Sequence, residues 1–509
     1  MSTISQIQSQ PRLSVWTGVW HFVLGVLLSA LSGVMMLLAF PPYGIWPLAW
    51  VAMIPALFSQ YRLFPRVFSS LAFSLFVLFW LGPYLGTAFG PSMAYLGAPI
   101  AFATLFINIE RKFHELTGFR WFVLYGIFLF VGQEMIRALF VPGFGTGAFV
   151  GYTQATQAWI LQPVAIFSIY GFDFLILLVN YALGLGLLAW YDRKYPSANA
   201  LVGESLSKRW LIGAGVALIA WIGLSLVMLI STTKDAPTVR VASLRGGFPL
   251  SAIGDKETTS QVRFEKFASQ AREAAAQGAQ VLVTSELMFG FDPQEQYTEE
   301  FKAIARETDT YIFIGYGVVD EVNLTFRNQM VLLSPAGKFS AIYSKNHPVP
   351  PYEPLSLGAG VYPVFDTPFG NMAAMICQDT NFTDVSRRLA ANGAQLIADG
   401  FDLYGGDAEQ KLTYLTFRAI ENHSAFVATD TSHLSAIVDG NGRQIAVDTD
   451  FEGSPLVMVA DVPMGTGATI YSSMGDVLGW VAMAGFAFFF TFMIVVRIRA
   501  RKAAKRALK

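Results

Sequence analysis

Long apolar stretches dominate the first 230 residues of the chain and return near its end. A helix needs about 20 apolar residues to cross a bilayer, and eight stretches approach that length: 18–40, 44–60, 67–86, 92–109, 121–139, 165–190, 210–230 and 476–496. We expect each of them to form a transmembrane helix. The first is too long for the core of a signal peptide and is followed by further spans, so we expect it to be retained.

Residues 231–470 follow a different pattern, in which short apolar runs alternate with amphipathic stretches. The runs at 239–244, 280–284 and 371–376 predict strands, and the stretch at 410–422 predicts a helix. Apolar strands with helices between them are typical of sheets covered by helices. The predicted domains are a seven-helix transmembrane domain at 1–230, an α/β domain at 231–470, and a last span with a polar tail at 471–509.

Composition agrees with a chain that lies largely in lipid. Hydrophobic residues make up 53% of the 509 residues and charged residues only 14%, whereas about 25% of residues are charged in ordinary soluble domains. The formal net charge is −1, so the chain lacks the overall basic field that attracts nucleic acid. We predict a multi-pass membrane protein without a nucleic-acid partner.

Basic residues are distributed unevenly between the loops, and this predicts the orientation. Seven lysines and arginines and no acid occupy residues 497–509, whereas segments 87–91 and 140–164 contain neither lysine nor arginine. Cytoplasmic loops of membrane proteins carry an excess of these residues. We therefore expect both termini in the cytoplasm and residues 231–470 on the periplasmic side of a bacterial inner membrane.

Three ionisable residues follow predicted strands. Glu286 follows Val-Leu-Val-Thr-Ser, Lys345 follows Ala-Ile-Tyr-Ser, and Cys377 follows Ala-Ala-Met-Ile. Strand ends on one rim of a sheet bring together residues that are distant in sequence. The three suit acyl transfer, because a carboxylate can take the thiol proton, the thiolate can attack a carbonyl, and an ammonium can stabilise the oxyanion.

Each of these residues taken alone also has a plainer interpretation. Cys377 is the only cysteine in the chain, so it can form neither an intrachain disulfide nor a cysteine metal cluster, but a lone thiol is often a buried apolar filler. Glu286 could be a structural ion-pair partner, and Lys345 could be a solvated lysine. His347 offers a second candidate base, since a cysteine with a histidine is a common pairing.

The order and setting of Glu286, Lys345 and Cys377 resemble the nitrilase superfamily, in which a glutamate, a lysine and a cysteine form the catalytic triad. Residues 418–422 (RAIEN) are similar to the late helix motif of that superfamily, and Glu353 lies where the superfamily has a second glutamate near the site. This resemblance implies that residues 231–470 fold as an exported αββα sandwich. Without it, Glu353 could be merely a loop charge.

Motifs in the first 230 residues point to a more specific resemblance than the nitrilase superfamily. Residues 39–48 (AFPPYGIWPL), 151–154 (GYTQ) and 169–171 (IYG) resemble the apolipoprotein N-acyltransferase family, as does the arrangement of seven spans, an exported nitrilase-like domain and a last span. The resemblance covers nearly the full chain. A membrane bundle joined to a nitrilase-like domain is a specific combination.

The resemblance implies an enzyme of lipoprotein maturation. An acyl chain would pass from a membrane phospholipid to Cys377 as a thioester, and then to the N-terminal amine of a diacylglyceryl-cysteine apolipoprotein. Glu286 and Lys345 would complete the catalytic triad, and Glu353, Gln378 and Asp379 would be substrate-binding or supporting residues. The expected partners are the phospholipid donor, the apolipoprotein acceptor and the membrane; no cofactor and no metal are expected.

The chain departs from the family pattern beside the nucleophile. The family usually has tyrosine and glutamate after the cysteine, whereas Gln378 and Asp379 stand here, and a tryptophan expected early in the domain has no counterpart in 244–256. The acyl-chain, headgroup and acceptor preferences therefore stay open. Two other functions also stay open: a membrane-anchored amidase, in which water resolves the thioester, and a catalytically silent relative that binds lipoproteins. The apolar loops 350–365 and 401–404 could form an interfacial lid or pack as ordinary loops.

Overall fold

A computed structural model describes residues 15–107, 110–196, 201–232, 236–248, 260–320, 325–349, 353–403, 407–449 and 454–507. Most of segment 244–256 and parts of the two candidate lid loops, residues 350–352 and 404, lie outside these ranges. The chain forms two compact units. One comprises Met1–Gly132, Phe174–Ile219 and Ala482–Lys509, and the other comprises Gln133–Asp173 and Ala220–Val481. The domain boundaries at 230 and 470 stay predictions.

The described residues form fifteen α-helices and twelve β-strands. The helices are α1 (Val15–Ala39), α2 (Ile54–Phe58), α3 (Leu71–Phe89), α4 (Gly97–Ile107), α5 (Arg111–Leu116), α6 (Phe122–Phe140), α7 (Ala158–Leu161), α8 (Val164–Lys194, with a kink at Ser168), α9 (Glu204–Thr232), α10 (Ser260–Ala276), α11 (Thr298–Thr308), α12 (Asp384–Ala391), α13 (Ala408–Asn422), α14 (Ile470–Met474) and α15 (Val477–Ala507). The strands are β1 (Thr238–Arg245), β2 (Val281–Thr284), β3 (Tyr311–Asp320), β4 (Thr325–Leu333), β5 (Phe339–Ser344), β6 (Val364–Thr367), β7 (Gly370–Ile376), β8 (Leu396–Phe401), β9 (Ala425–Asp430), β10 (Leu434–Val438), β11 (Gln444–Thr449) and β12 (Leu456–Pro463).

Seven helical stretches within the described residues are long and apolar enough to cross a membrane. They are Trp16–Ala39, Arg66–Ala88, Pro91–Leu116, Phe122–Phe140, Val164–Lys194, Glu204–Ser231 and Val477–Ala507. Each coincides with one of the predicted spans. The sequence pattern therefore identified these stretches correctly, and the count of eight spans stays a prediction.

The predicted span at 44–60 differs in form from the other seven. Instead of one continuous helix, the chain makes a 3-10 turn at Trp46–Trp50, the short helix α2, and a π-helical turn at Ser59–Leu63. Pro47 and Pro55 stand near the starts of the first two pieces, and proline removes a helix donor and clashes with the preceding turn. The apolar run thus forms a broken helix, which the hydrophobic pattern alone did not predict.

Neighbouring helices satisfy backbone groups that the breaks leave free. Asn180 on α8 accepts from the N–H of Met53 at 3.0 Å and donates to the carbonyl of Ala49 at 2.8 Å. The hydroxyl of Ser32 on α1 accepts from the N–H of Ala56 at 2.8 Å. Because broken backbone is tolerated at membrane depth only where protein groups pair it, these buried polar side chains stabilise the interrupted segment.

The second unit contains two six-stranded sheets. Their strand orders are β12-β1-β2-β3-β4-β5 and β11-β10-β9-β8-β7-β6. Strands β1, β2 and β3 run parallel in the first sheet, and β7, β8 and β9 run parallel in the second. This confirms the prediction of an α/β domain with sheets covered by helices.

Alternation along the strands builds the layers of this domain. Val241, Val283 and Phe313 of the first sheet share one buried core with Ala373 and Ile397 of the second. The alternate residues Ala242, Leu282 and Ile312 instead join a second core with residues of α10 and α11, because successive side chains of a strand point to opposite faces. Helices α12 and α13 pack on the second sheet, giving the order helix, sheet, sheet, helix.

The topology places three strand ends on one rim. Strands β2 and β5 of the first sheet end just before Glu286 and Lys345, and β7 of the second sheet ends at the residue before Cys377. The carboxyl ends of such strands form the usual crevice for ligands in α/β proteins. The fold therefore brings the three candidate residues to a common edge from two different sheets.

Candidate active site

Cys377 begins a tight turn directly after β7. The turn covers Cys377–Asn381, and the φ angle of Cys377 is 48°, a left-handed conformation that costs a residue with a Cβ about 1–3 kcal/mol. Two buried carboxylates hold it: Asp399 accepts from the N–H of Cys377 at 3.1 Å, and Asp379 accepts from the N–H of Ile376 at 3.2 Å. The turn thus presents a nearly buried thiol at the end of the strand.

Glu286 and Lys345 form a buried ion pair. The Nζ of Lys345 donates to Glu286 Oε1 at 2.7 Å, and the side chains of both residues are only 3% exposed. The same Nζ donates to Glu353 Oε2 at 2.7 Å. Lys345 therefore bridges two carboxylates. Glu353 lies beside Glu286, where the resemblance implied a second glutamate.

Asn328, in the middle of β4, is a member of this cluster that sequence reasoning missed. Its Nδ2 donates to Glu286 Oε1 at 2.6 Å and to Glu353 Oε1 at 2.7 Å. No sequence signal marked it, because Asn328 lies between Arg327 and Gln329 in the polar half of the strand, and its burial becomes visible only in the folded chain. Asn328 and Lys345 together hold both glutamates in place. Lys345 can neutralise only one of the two negative charges, because Asn328 carries no charge.

The electrostatics keep the lysine charged and the resting thiol protonated. Burial lowers the pKa of Lys345, but the nearby charges of Glu286, Cys377 and Glu353 raise it overall. Burial raises the pKa of the Cys377 thiol, and the charge of Glu286 raises it further, while Lys411 and Lys345 oppose the rise. A thiol of this kind needs a base to take its proton before it can attack a carbonyl.

Asp379 and Gln378 make contacts that shape the turn. Asp379 accepts from the hydroxyl of Tyr343 at 2.6 Å and from the N–H groups of Asn346 and His347 at 3.1 and 2.8 Å, and burial raises its pKa to about 6. Gln378 accepts from Asn381 Nδ2 at 3.1 Å and donates to the carbonyl of Gly143. Asp379 therefore ties the residues after Lys345 to the turn that carries Cys377.

His347, the alternative base, lies in a different pair. Its Nε2 contacts Asp384 Oδ1 at 2.8 Å, and its ring stacks on Phe382 with centroids 3.7 Å apart. Burial lowers the pKa of His347, but the carboxylate of Asp384 raises it overall. The imidazole of His347 is thus paired with Asp384. This pairing favours Glu286 over His347 as the base.

Lys411 is a second buried cation near the nucleophile, and the sequence analysis did not single it out. Its Nζ donates to Asn381 Oδ1 at 2.7 Å and lies 3.5 Å from the carbonyl oxygen of Cys377. The side chain is 3% exposed and lies over the ring of Phe401. Its position inside α13 resembles that of an ordinary helix lysine, so only the tertiary structure reveals it.

A glycine-rich segment before α7 packs on the nucleophile turn. The N–H and the hydroxyl of Thr146 both donate to the carbonyl of Asn381 at 2.8 Å. Gly145 has a φ angle of 53°, and a Cβ on it would lie 2.4 Å from that carbonyl oxygen. Gly145 is therefore required both by its backbone conformation and by the close approach of the turn.

The geometry supplies the parts of a covalent acyl transfer. A carboxylate and an ammonium are in direct contact, and the pKa of the single thiol responds to the charges of both and to the backbone N–H of Asp402. These are a base, a cation for the developing oxyanion, and a nucleophile. The roles of Glu286, Lys345 and Cys377, and of Glu353, Gln378 and Asp379, are proposals that these contacts support.

Two family models match the chain in succession. Residues 32–182 match the apolipoprotein N-acyltransferase N-terminal domain, and residues 240–471 match the carbon-nitrogen hydrolase domain. An amidase structure from Nesterenkonia sp. is also similar, with 21% identity, a TM-score of 0.39, and coverage of 46% of this chain and 93% of that one.

Similar proteins of known name extend over most of the chain. The apolipoprotein N-acyltransferase of Geobacter metallireducens is 27% identical and covers 90% of this chain and 93% of its own, and that of Gloeobacter violaceus is 25% identical and covers 89% and 91%. A nitrilase from Pyrococcus abyssi is 31% identical over 31% of this chain and 64% of its own length. Over about nine tenths of its length the chain is therefore similar to apolipoprotein N-acyltransferases.

Proposed function

We propose that this protein transfers an acyl chain from a membrane phospholipid, through a thioester on Cys377, to the N-terminal amine of diacylglyceryl-cysteine apolipoproteins. The observation that carries the proposal is the buried pair of Glu286 and Lys345, whose charges act on the only thiol. The pair lies in a chain that matches an apolipoprotein N-acyltransferase N-terminal domain followed by a carbon-nitrogen hydrolase domain. The enzyme is thus an acyltransferase of lipoprotein biosynthesis.

In the first half-reaction, Glu286 takes the proton of the Cys377 thiol while the sulfur attacks the ester carbonyl of the phospholipid. Lys345 donates to the oxyanion, and the Asp402 N–H, which lowers the pKa of the thiol, supports the developing thiolate. When the tetrahedral intermediate collapses, the carbon–oxygen bond of the donor breaks and Glu286 returns the proton to the leaving alkoxide. The lysophospholipid leaves and the acyl chain remains on sulfur.

In the second half-reaction, the neutral amine of the acceptor attacks the thioester carbonyl. The carbon–nitrogen bond forms, the carbon–sulfur bond breaks, and the amine proton passes through Glu286 to the thiolate. The amide is released and the free thiol is restored. Because both substrates are anchored in the membrane, a site held at the same surface meets them at high effective concentration.

We propose the same arrangement in the membrane that the loop charges predict. The helical pieces at 46–63 form an eighth crossing between the first two long helices, which puts both termini in the cytoplasm and residues 231–470 in the periplasm of a bacterial inner membrane. The positive charges after residue 496 support this orientation. The ends of α9 at Thr232 and of the α14–α15 connection before Val477 support domain boundaries near 230 and 470.

Intact-mass analysis of the purified protein after incubation with phospholipid vesicles tests the proposal. We expect the wild type to gain the mass of one acyl chain, Cys377→Ala to gain nothing, and a synthetic diacylglyceryl lipopeptide to remove the adduct and emerge N-acylated. Absence of an adduct on the wild type would overturn the covalent route. An adduct that water removes faster than the lipopeptide does would instead identify a membrane-anchored amidase.

A further inference from the structure

We propose that the side chain of Asp402 binds the ammonium form of the acyl acceptor and removes its first proton. The inference rests on the proposed function, because it concerns the second half-reaction of the same site. It starts from a chemical requirement: an N-terminal amine has a pKa of about 8, so most acceptor molecules arrive protonated near neutral pH and cannot attack a thioester.

Asp402 is placed next to the nucleophile by the end of β8. Gly400 pairs in register with Ile376, the residue before the nucleophile, and the backbone N–H of Asp402 lowers the pKa of the Cys377 thiol. A Cβ on Gly400 would lie 2.7 Å from the backbone nitrogen of Glu286, so this strand end also touches the residue that serves as base. The side chain of Asp402 therefore starts from within the site.

One oxygen of this carboxyl group is paired and the other is free. Oδ1 accepts from the hydroxyl of Thr431 at 2.5 Å. Oδ2 is buried and has no hydrogen-bond partner among the described residues. A buried carboxylate oxygen without a donor is costly, and a cationic amine that lies against the thioester is the ligand that would satisfy it.

The charged side chains around Asp402 do not form an ion pair or hydrogen bond with Oδ2 among the described residues. The negative charge of Asp402 acts on the Arg263 guanidinium, but Arg263 donates to the carbonyl of Met288 at 3.0 Å and lies 5.0 Å from the ring of Phe248; within the described ranges it makes no ion pair with Asp402. Lys345 is held by two glutamates. Asp430 accepts from backbone N–H groups, including that of Leu403 at 2.9 Å, and is thus an acceptor that cannot serve Oδ2.

The same surroundings give Asp402 a suitable basicity. Burial raises its pKa to about 7, the hydroxyl of Thr431 opposes this rise, and the charges of Glu286 and Asp430 add to it, while Lys345 lowers it. A base works best when its pKa lies near the working pH. An ordinary exposed aspartate, with a pKa near 3.9, would hold the ammonium but would rarely keep its proton.

The two protons of the acceptor are accounted for separately. The ammonium gives its first proton to the Asp402 carboxylate, which passes it to solvent after the product leaves. The resulting amine attacks the thioester, and its second proton goes through Glu286 to the departing thiolate. Each carboxylate thus ends the cycle ionised, and the nucleophile ends as a thiol.

The test times the discharge of a preformed acyl-enzyme by two nucleophiles, a diacylglyceryl lipopeptide with a free N-terminus and hydroxylamine, which is uncharged near neutral pH. With Asp402→Asn we expect lipopeptide discharge to slow about tenfold or more relative to hydroxylamine discharge at about pH 7, because only about a tenth of α-amino groups are neutral there. At about pH 9, where the amine is mostly neutral, the difference should shrink toward nothing.

A second variant keeps the carboxylate and changes only its basicity. Thr431→Val removes the hydroxyl that lowers the pKa of Asp402, so the pH profile of lipopeptide discharge should move to higher pH. If both variants keep the wild-type ratio of the two nucleophiles at every pH, the role of Asp402 is refuted. If the wild type forms no acyl-enzyme at all, the proposed function fails instead, so the two failures are distinguishable.

Discussion

Replacing Gly145 by alanine should disable the nucleophile without touching any group that reacts. The added Cβ would lie 2.4 Å from the carbonyl oxygen of Asn381 and 2.9 Å from its carbonyl carbon, while ordinary contact begins near 3.4 Å. Either the segment around Gly145 or the turn that begins at Cys377 must therefore move by about 1 Å. A displacement of this size at a reacting group costs about 100-fold in rate.

A matched control separates this clash from simple backbone strain. Gly118 has a φ angle of 61°, close to the 53° of Gly145, but no atom lies within 4 Å of the position of its Cβ. Both substitutions place an L-residue in the left-handed region at about 1–2 kcal/mol. Only Gly145→Ala adds a contact with the turn, so the difference between the two variants isolates the displacement of the nucleophile.

The assay is the single-turnover rate of thioester formation, followed by intact mass, together with the melting temperature of each variant. We expect Gly145→Ala to form the acyl-enzyme about 100-fold more slowly than the wild type and Gly118→Ala to be nearly unchanged. The reasoning is refuted if the two alanine variants react at the same rate, or if Gly145→Ala loses activity only in proportion to the fraction that has unfolded.

Three further predictions concern buried polar groups around the site. Lys411→Met should raise the pKa of the Cys377 thiol and shift the pH profile of its alkylation by about one unit to higher pH, whereas Lys411→Arg should keep the profile; a uniform slowing at all pH values would contradict this role. Asn328→Leu should slow thioester formation about tenfold or more, and Asn328→Asp should be worse, because a third carboxylate would then lie against Glu286 and Glu353; equal rates for the two variants would disprove the argument. Since burial raises the pKa of Asp402 to about 7, the folded state is favoured while this acid is protonated, below the ordinary aspartate pKa near 3.9, and that contribution is lost as pH rises through about 7. Asp402→Asn should therefore increase the melting temperature more at about pH 8 than at about pH 5, and a gain that is the same at both values would argue against an ionised Asp402.

The hydrophobic pattern predicted much of this fold because the relevant forces act along the chain. Seven apolar runs became long helices, and the short alternating runs became strands of two sheets. The pattern failed at 44–60, where prolines break the helix and side chains from α1 and α8 hydrogen-bond to the backbone N–H groups that the breaks leave free. It also missed strand β11, which is partly exposed, and the amphipathic helix α11.

The site was predictable only in part, for a related reason. Glu286, Lys345 and Cys377 were visible because each follows an apolar strand, and the order of the three carries the family resemblance. Asn328, Lys411 and Asp402 were not visible, since their importance comes from other elements: two glutamates for Asn328, a carbonyl of the nucleophile turn for Lys411, and the strand end before Cys377 for Asp402. Contacts of this kind depend on packing between elements, which periodicity does not encode.

Because the site takes residues from both sheets, its geometry depends on the position of one sheet relative to the other. Glu286 and Lys345 belong to one sheet and Cys377 to the other, and the layer between the sheets is filled by close-packed apolar side chains such as Val283, Phe313 and Met375. A small slide of one sheet over the other would leave each strand intact while it separated base from nucleophile. Volume changes deep in that layer should therefore tune the rate of acylation from a distance, and thiol reactivity would report the register of the two sheets more sensitively than any measure of secondary structure.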